Sequence, residues 1–179
     1  MVAARDVAAH IEHRLPGLTE FALFKILYYA QAWHVTWEGT KLFPERIEAW
    51  RNGPVAASLW RERQKDPRPP RAVPLPEDVR HIVDSIVAFY GHMPGGDLVD
   101  LTHAEDPWME ARRGLPDNVG SDEEVTSQSM RRYYTLKLAR GESAPRRPQI
   151  DERYDNEAVM TAAECEFPRW SETLDRLAQ

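Results

Sequence analysis

Residues Thr19–Gly39, TEFALFKILYYAQAWHVTWEG, decide how this chain folds. Thr19 offers a side-chain oxygen to the free N–H groups of a first helical turn, and Gly39 offers the left-handed residue at which helices commonly stop. From about Glu20 to Trp37 the segment between them reads as one long helix. Phe21, Phe24, Leu27, Tyr28 and Gln31 follow i, i+3, i+4 spacing, and Ile26, Tyr29 and Ala30 widen the stripe. A helix apolar on most sides belongs in the middle of a domain. The rest of the chain is expected to pack around it.

Working outward, Asp6–Leu15 reads as a short amphipathic helix stopped by Pro16-Gly17. On the other side, Leu42–Trp50 alternates loosely and suits a short extended segment or β-bridge. Gly53-Pro54 is expected to break it, with Pro54 in the first turn of a helix carrying Val55, Leu59 and Trp60. Five prolines between Asp66 and Pro76 make a stiff connector. Val79, Ile82, Val83, Ile86, Val87 and Tyr90 then form a helical stripe over Glu77–Tyr90. A short helix over Asp97–His103 follows. Asp106 is expected to cap, and Pro107 to open, a helix to Arg113. Ser121 and Glu124 have the spacing of a capping box for a helix reaching about Arg140, closed by Gly141. Polar Glu142–Asp155 reads as a linker before a final short helix, Trp170–Leu177. The expectation is an all-α domain over residues 1–141, with about six helices around the central one and one short extended pair. Residues 142–179 form a C-terminal extension.

Composition narrows the function. The chain has 179 residues, 42% apolar and 29% charged, which is enough to bury a core and too apolar for wholesale disorder. No apolar run approaches the 18 or so residues of a membrane helix. The first residues, MVAARDVAAHIEHRL, carry Asp6 and Glu12 and do not read as a secretory signal. Cys165 is the single cysteine, so no intrachain disulfide forms, and a cytoplasmic location is the natural expectation. With 29 acidic against 23 basic residues the net charge is −6. Such a surface disfavours phosphate backbones and suits a basic partner.

Candidate chemistry is sparse. Thr102, His103 and Glu105 have the residue types of a nucleophile, a base and an orienting acid, the basis of an alternative reading as a small hydrolase or transferase. Side chains so close in sequence diverge, whereas a triad must converge. Thr102 is therefore expected to cap a helix junction, His103 to bond a local carbonyl, and Glu105 to pair with Arg112 or Arg113. His10 and His13 share a helical face without the further ligands a zinc site needs. Gly95-Gly96 lacks the following Lys-Ser/Thr of a phosphate loop. Arg131-Arg132 beside Tyr133-Tyr134, and Arg146-Arg147, have the vocabulary of stacking surfaces for nucleic acid. On a helix the tyrosines can instead face the core with Met130 and Leu136. Of the tryptophans at positions 33, 37, 50, 60, 108 and 170, most are expected in the core and some as interface anchors.

Two blocks of sequence carry a resemblance. The first is Lys25-x-Leu27-Tyr28-Tyr29-Ala30-Gln31-x-Trp33-His34, continuing through Leu42-Phe43 to Glu48-Ala49-Trp50-x-x-Gly53-Pro54-Val55. The second is Leu101-Thr102-His103-x-Glu105-x-Pro107-Trp108-x-x-Ala111-Arg112. In order and separation they resemble the SocA-like antitoxin, or Panacea, domain over about residues 6–138. Asn52 departs from it, standing where the pattern leads one to expect an aromatic residue. The resemblance implies a non-enzymatic antitoxin that neutralises a cognate protein toxin encoded by an adjacent gene. A second mode it implies is an adaptor that delivers the toxin to the ClpXP protease. No cofactor, metal or catalytic residue follows from either. Lys25, Tyr28, Tyr29, Gln31, Trp33, His34, Trp50, Gly53, Pro54, Thr102, His103, Glu105, Pro107, Trp108 and Arg112 would then be scaffold. Tyr154, Phe167 and Trp170, in a polar extension outside the resemblance, suit a partner-contacting segment that folds on binding.

Overall fold

Thr19 caps the central helix as its chemistry suggests. In the computed structural model its Oγ1 accepts from the backbone N–H of Ala22, and Gly39 closes the other end at φ 74°. The structure describes residues 1–66, 73–116 and 118–149. The helix between the caps, Glu20–Glu38, is buried at every position from Ala22 to Val35, and is α2 in an order that begins with α1, Ala4–Arg14. Then follow β1 (Ile47–Trp50), β2 (Gly53–Ala56), α3 (Ala57–Lys65), α4 (Glu77–Tyr90), α5 (Gly95–His103), α6 (Asp106–Arg112) and α7 (Ser127–Ala139). Residues Met1–Pro148 form one compact unit. Packed on α2 are α1, α4, α5, α7 and β2, so the fold is the expected helical domain with one short antiparallel pair. Among the described residues no helix is long and apolar enough to cross a membrane.

The apolar stripe of α4 does what its spacing predicts, burying Val79, Ile82, Val83, Ile86, Val87 and Tyr90. Tyr90 stacks flat on Tyr29 at 3.9 Å between ring centres and accepts a hydrogen bond from Trp33 Nε1. Those contacts join α4 to α2.

Three local expectations are corrected. Gly53-Pro54 does not open a helix: Gly53 takes φ 95° and closes a hairpin whose loop is Arg51-Asn52, placing Pro54 opposite Ala49. A glycine followed by proline signals a break in either case, and only pairing with β1 distinguishes a strand from a helix start. Ser121 and Glu124 do not start α7. Residues 123–125 run beside β1, with Ala49 N–H donating to Glu123 O and Val125 N–H to Ile47 O. Val125 is thereby buried, and the cap of α7 falls to Thr126, whose side chain accepts from Ser129 N–H. At α6 the cap position is Glu105, not Asp106, and its side chain makes no cap hydrogen bond, because that carboxylate is engaged in the core.

Beyond Gly141, Pro145 is buried and Ser85 Oγ donates to Arg146 O. Arg147 pairs with Glu38 at 3.1 Å. The helix expected at 170–177, and Tyr154, Phe167 and Trp170, lie outside the described residues.

Candidate functional site

The two motif blocks meet through polar groups buried on either side of α2. At the first meeting point, Glu105 is 1% exposed. Its Oε2 accepts from Tyr134 OH at 2.6 Å and from Tyr29 OH at 3.3 Å, and Lys137 Nζ stands 3.6 Å from Oε1. The oxygen of Tyr28 lies 3.3 Å from that of Tyr134. Burial pushes the Glu105 carboxyl up to about 7, against the pull of Tyr134, Lys137 and Tyr29. The same burial, with the Glu105 charge next, raises the hydroxyls of Tyr28, Tyr29 and Tyr134. The expected pairing of Glu105 with Arg112 or Arg113 is therefore not formed. Its partners come from α2 and α7, across 76 and 29 residues of sequence.

Arg112 is instead turned toward backbone. Nη1 donates to Ala49 O at 3.1 Å, and Nη2 to Pro116 O at 2.6 Å and Val119 O at 2.7 Å. Its guanidinium lies 4.7 Å from the Trp108 ring centre. Trp108 Nε1 donates to Trp50 O, while His103 stacks on the Trp108 ring at 3.9 Å. Thr102 Oγ1 donates to Val99 O within its own helix rather than capping the junction. Pro107 is buried in the first turn of α6.

At the second meeting point Lys25, 1% exposed, donates from Nζ to Pro54 O at 3.2 Å. Burial lowers this amine to about 7. A Cβ on Gly53 would lie 2.5 Å from Lys25 Cε and 2.8 Å from Thr102 Oγ1, so the glycine is what lets the hairpin close over the lysine. Gln31 binds the chain leaving α2, with Oε1 accepting from the N–H groups of Leu42 and Phe43 and Nε2 donating to Phe43 O. His34 Nδ1 lies 2.8 Å from Thr40 O.

The remaining candidates are scattered. His10 bonds Asp84 at 2.8 Å, with Arg14 on the same carboxylate, and among the described residues no group of three His, Cys, Asp or Glu is placed to share a metal. Tyr134 and Met130 face the core while Leu136 is exposed, and Arg132 pairs with Glu110.

Composition and motif gave no hint of a groove of about 560 Å³ beside the hairpin. Phe21, Phe24, Trp50, Val55 and Trp60 make it largely apolar, with Lys25 at its lining and Glu20, Arg51, Asn52, Gln64, Gly120 and Ser121 around them. Trp50 and Trp60 meet edge to face at 4.9 Å, and Phe21 remains 56% exposed. The one readable signal is the i, i+4 placement of Phe21 and Lys25 on α2.

No curated protein and no solved structure matches this chain. A family model does: residues 23–109 match the domain described as antitoxin SocA-like, Panacea domain. The stretch contains the Tyr-Tyr-Ala-Gln, Ala-Trp and Thr-His-x-Glu-x-Pro-Trp segments whose side chains meet around α2 and the hairpin. Over residues 23–109, this chain is similar to the SocA-like Panacea antitoxin domain.

Proposed function

We propose that this domain is an antitoxin that neutralises a protein toxin by binding it directly. The family match over residues 23–109 supports a place in a toxin–antitoxin pair. The observation that carries the direct-binding reading is the engagement of the motif's polar groups. Thr102, Glu105, Arg112 and Lys25 bond to backbone carbonyls or to buried hydroxyls, an arrangement that braces the helices and the hairpin against one another. On this reading Lys25, Tyr28, Tyr29, Gln31, Trp33, His34, Trp50, Gly53, Pro54, Thr102, His103, Glu105, Pro107, Trp108 and Arg112 are scaffold. The toxin meets surface between and beside them.

The test is co-expression with the product of the neighbouring gene, scored by growth and by pull-down. Rescued growth with a stable complex is the expected result. A neighbour that is harmless alone, or stays lethal beside this protein, overturns the proposal. Rescue without a stable complex, lost in a strain without ClpXP, replaces direct neutralisation with delivery for proteolysis. His103→Ala is expected to keep neutralisation intact. A folded but inactive His103→Ala protein would favour the enzymatic alternative instead.

A further inference from the structure

We propose that residues 142–148 form a clasp, which closes the domain between the C-terminal end of α2 and α4 and opens independently of α7. The inference stands apart from the antitoxin reading and needs no partner to test. It starts in the sequence, where Ala144 and Arg147 each precede a proline. A residue before proline is held to extended backbone. Pro145 and Pro148 therefore set in advance the course of a segment that has neither helix nor strand, and less conformational freedom is lost when it is laid down. α7 ends in a turn at Gly141, φ 67°, where Gly141 N–H donates to Leu138 O and Glu142 N–H to Lys137 O. Beyond the turn the chain comes back onto the core.

There Ala144 packs against the hydrophobic cluster, and Pro145 is buried between neighbours that are largely exposed. With no ladder to satisfy its backbone, Arg146 offers its carbonyl to Ser85 Oγ on α4. Arg147 pairs at 3.1 Å with Glu38, the last residue of α2. That pair is 58% and 28% exposed and contributes little, so the hold comes from Pro145 and the Ser85 bond. Neither involves α7, which buries Met130 and Tyr134 of its own. A segment with few buried groups and exposed backbone opens at lower cost than the elements it covers. A partner drawing on the chain beyond Pro148 therefore loads α2 and α4 before α7.

The test is trypsin digestion of the full native chain, followed by mass spectrometry, with melting curves to verify folding. Two cuts are timed, one after Arg146 in the clasp and one after Arg131 in α7. Each rate is divided by that of a short peptide carrying the same site, so that it reports the open population. Wild type is expected to be cut after Arg146 about tenfold or more slower than its peptide. Ser85→Ala, which leaves the cleavage site unaltered, and Pro145→Ala are each expected to raise that rate about fivefold or more. The cut after Arg131 is expected to stay within about twofold. Wild type cut after Arg146 as fast as its peptide overturns the inference, because the clasp is then not closed. Variants that match wild type after Arg146 overturn it as well. So do variants whose cut after Arg131 rises in step, since the segment then yields only with the whole domain.

Discussion

The Tyr134 hydroxyl donates to Glu105 across 2.6 Å in the buried interior, tying α7 to the α5–α6 junction through a carboxylate removed from water. A charged group so placed carries a desolvation cost that its partners only partly offset. That cost sets a pH signature.

Glu105 titrates near 7 in the folded chain against an ordinary 4.5. A folded value above the unfolded one means that the stability this group contributes is fully present below about pH 4.5 and is lost as pH rises through about 7. The interval corresponds to roughly 3 kcal/mol at most. Denaturant midpoints of the wild type are expected to carry a falling component between pH 5 and 7.5 that Glu105→Gln lacks. Equal slopes for the two proteins would refute the assignment. Tyr134→Phe, which deletes the shorter hydrogen bond, should cost about 1–3 kcal/mol at pH 7.

Lys25 shifts the other way, from 10.5 to about 7. Between those values the unfolded chain holds the proton more tightly, so stability rises with pH across the window and is diminished as pH falls toward 7. Lys25→Met should flatten this dependence, and at pH 7 should be as stable as the wild type or more so. A large destabilisation by Met at pH 7 would mean that the bond to Pro54 outweighs the cost of burying the amine.

Gly53→Ala combines a backbone penalty at φ 95° with overlap against Lys25 and Thr102. A loss above about 2 kcal/mol is expected in equilibrium unfolding. Lys25→Ala in the same chain relieves the overlap with Lys25 and leaves that with Thr102 and the strained dihedral, so rescue should be partial. Full rescue would place the whole effect in the contact with Lys25.

Arg112→Lys tests the planar fork. One guanidinium reaches three carbonyls at 2.6–3.1 Å, a geometry that a single ammonium does not reproduce. A cost of about 2–4 kcal/mol is expected from the acceptors left unmet. A melt within 1 °C of wild type would show that water or lysine replaces it freely.

The sequence made α2 and α4 legible because their signals are local: Thr19 and Gly39 act on neighbouring backbone, and the α4 stripe repeats within fourteen residues. What it hid were choices settled at a distance. Gly53-Pro54 could start a strand or a helix until β1 lay alongside. Ser121 and Glu124 met the spacing of a cap, yet pairing of 123–125 with β1 claimed their backbone first. Glu105 had Arg112 and Arg113 nearby in sequence, but the hydroxyls it binds sit on helices far along the chain. For the candidate site, the resemblance singled out Lys25, Tyr29, Gln31, Glu105 and Arg112, which make buried polar contacts, and left out Tyr134 and Lys137, which meet Glu105 from α7. The groove was not readable, because Phe21, Trp50 and Trp60 come together only when the hairpin folds back.

Arg112 also bears on how an edge of β1 is kept covered. Its guanidinium secures the carbonyls of Pro116 and Val119, at the beginning of the passage that leads to residues 123–125 beside β1. With β2 on its other side, β1 has both hydrogen-bonding edges occupied. Unfastening that passage would uncover an edge able to template another chain. One arginine thus fastens the start of the passage whose far end covers that edge.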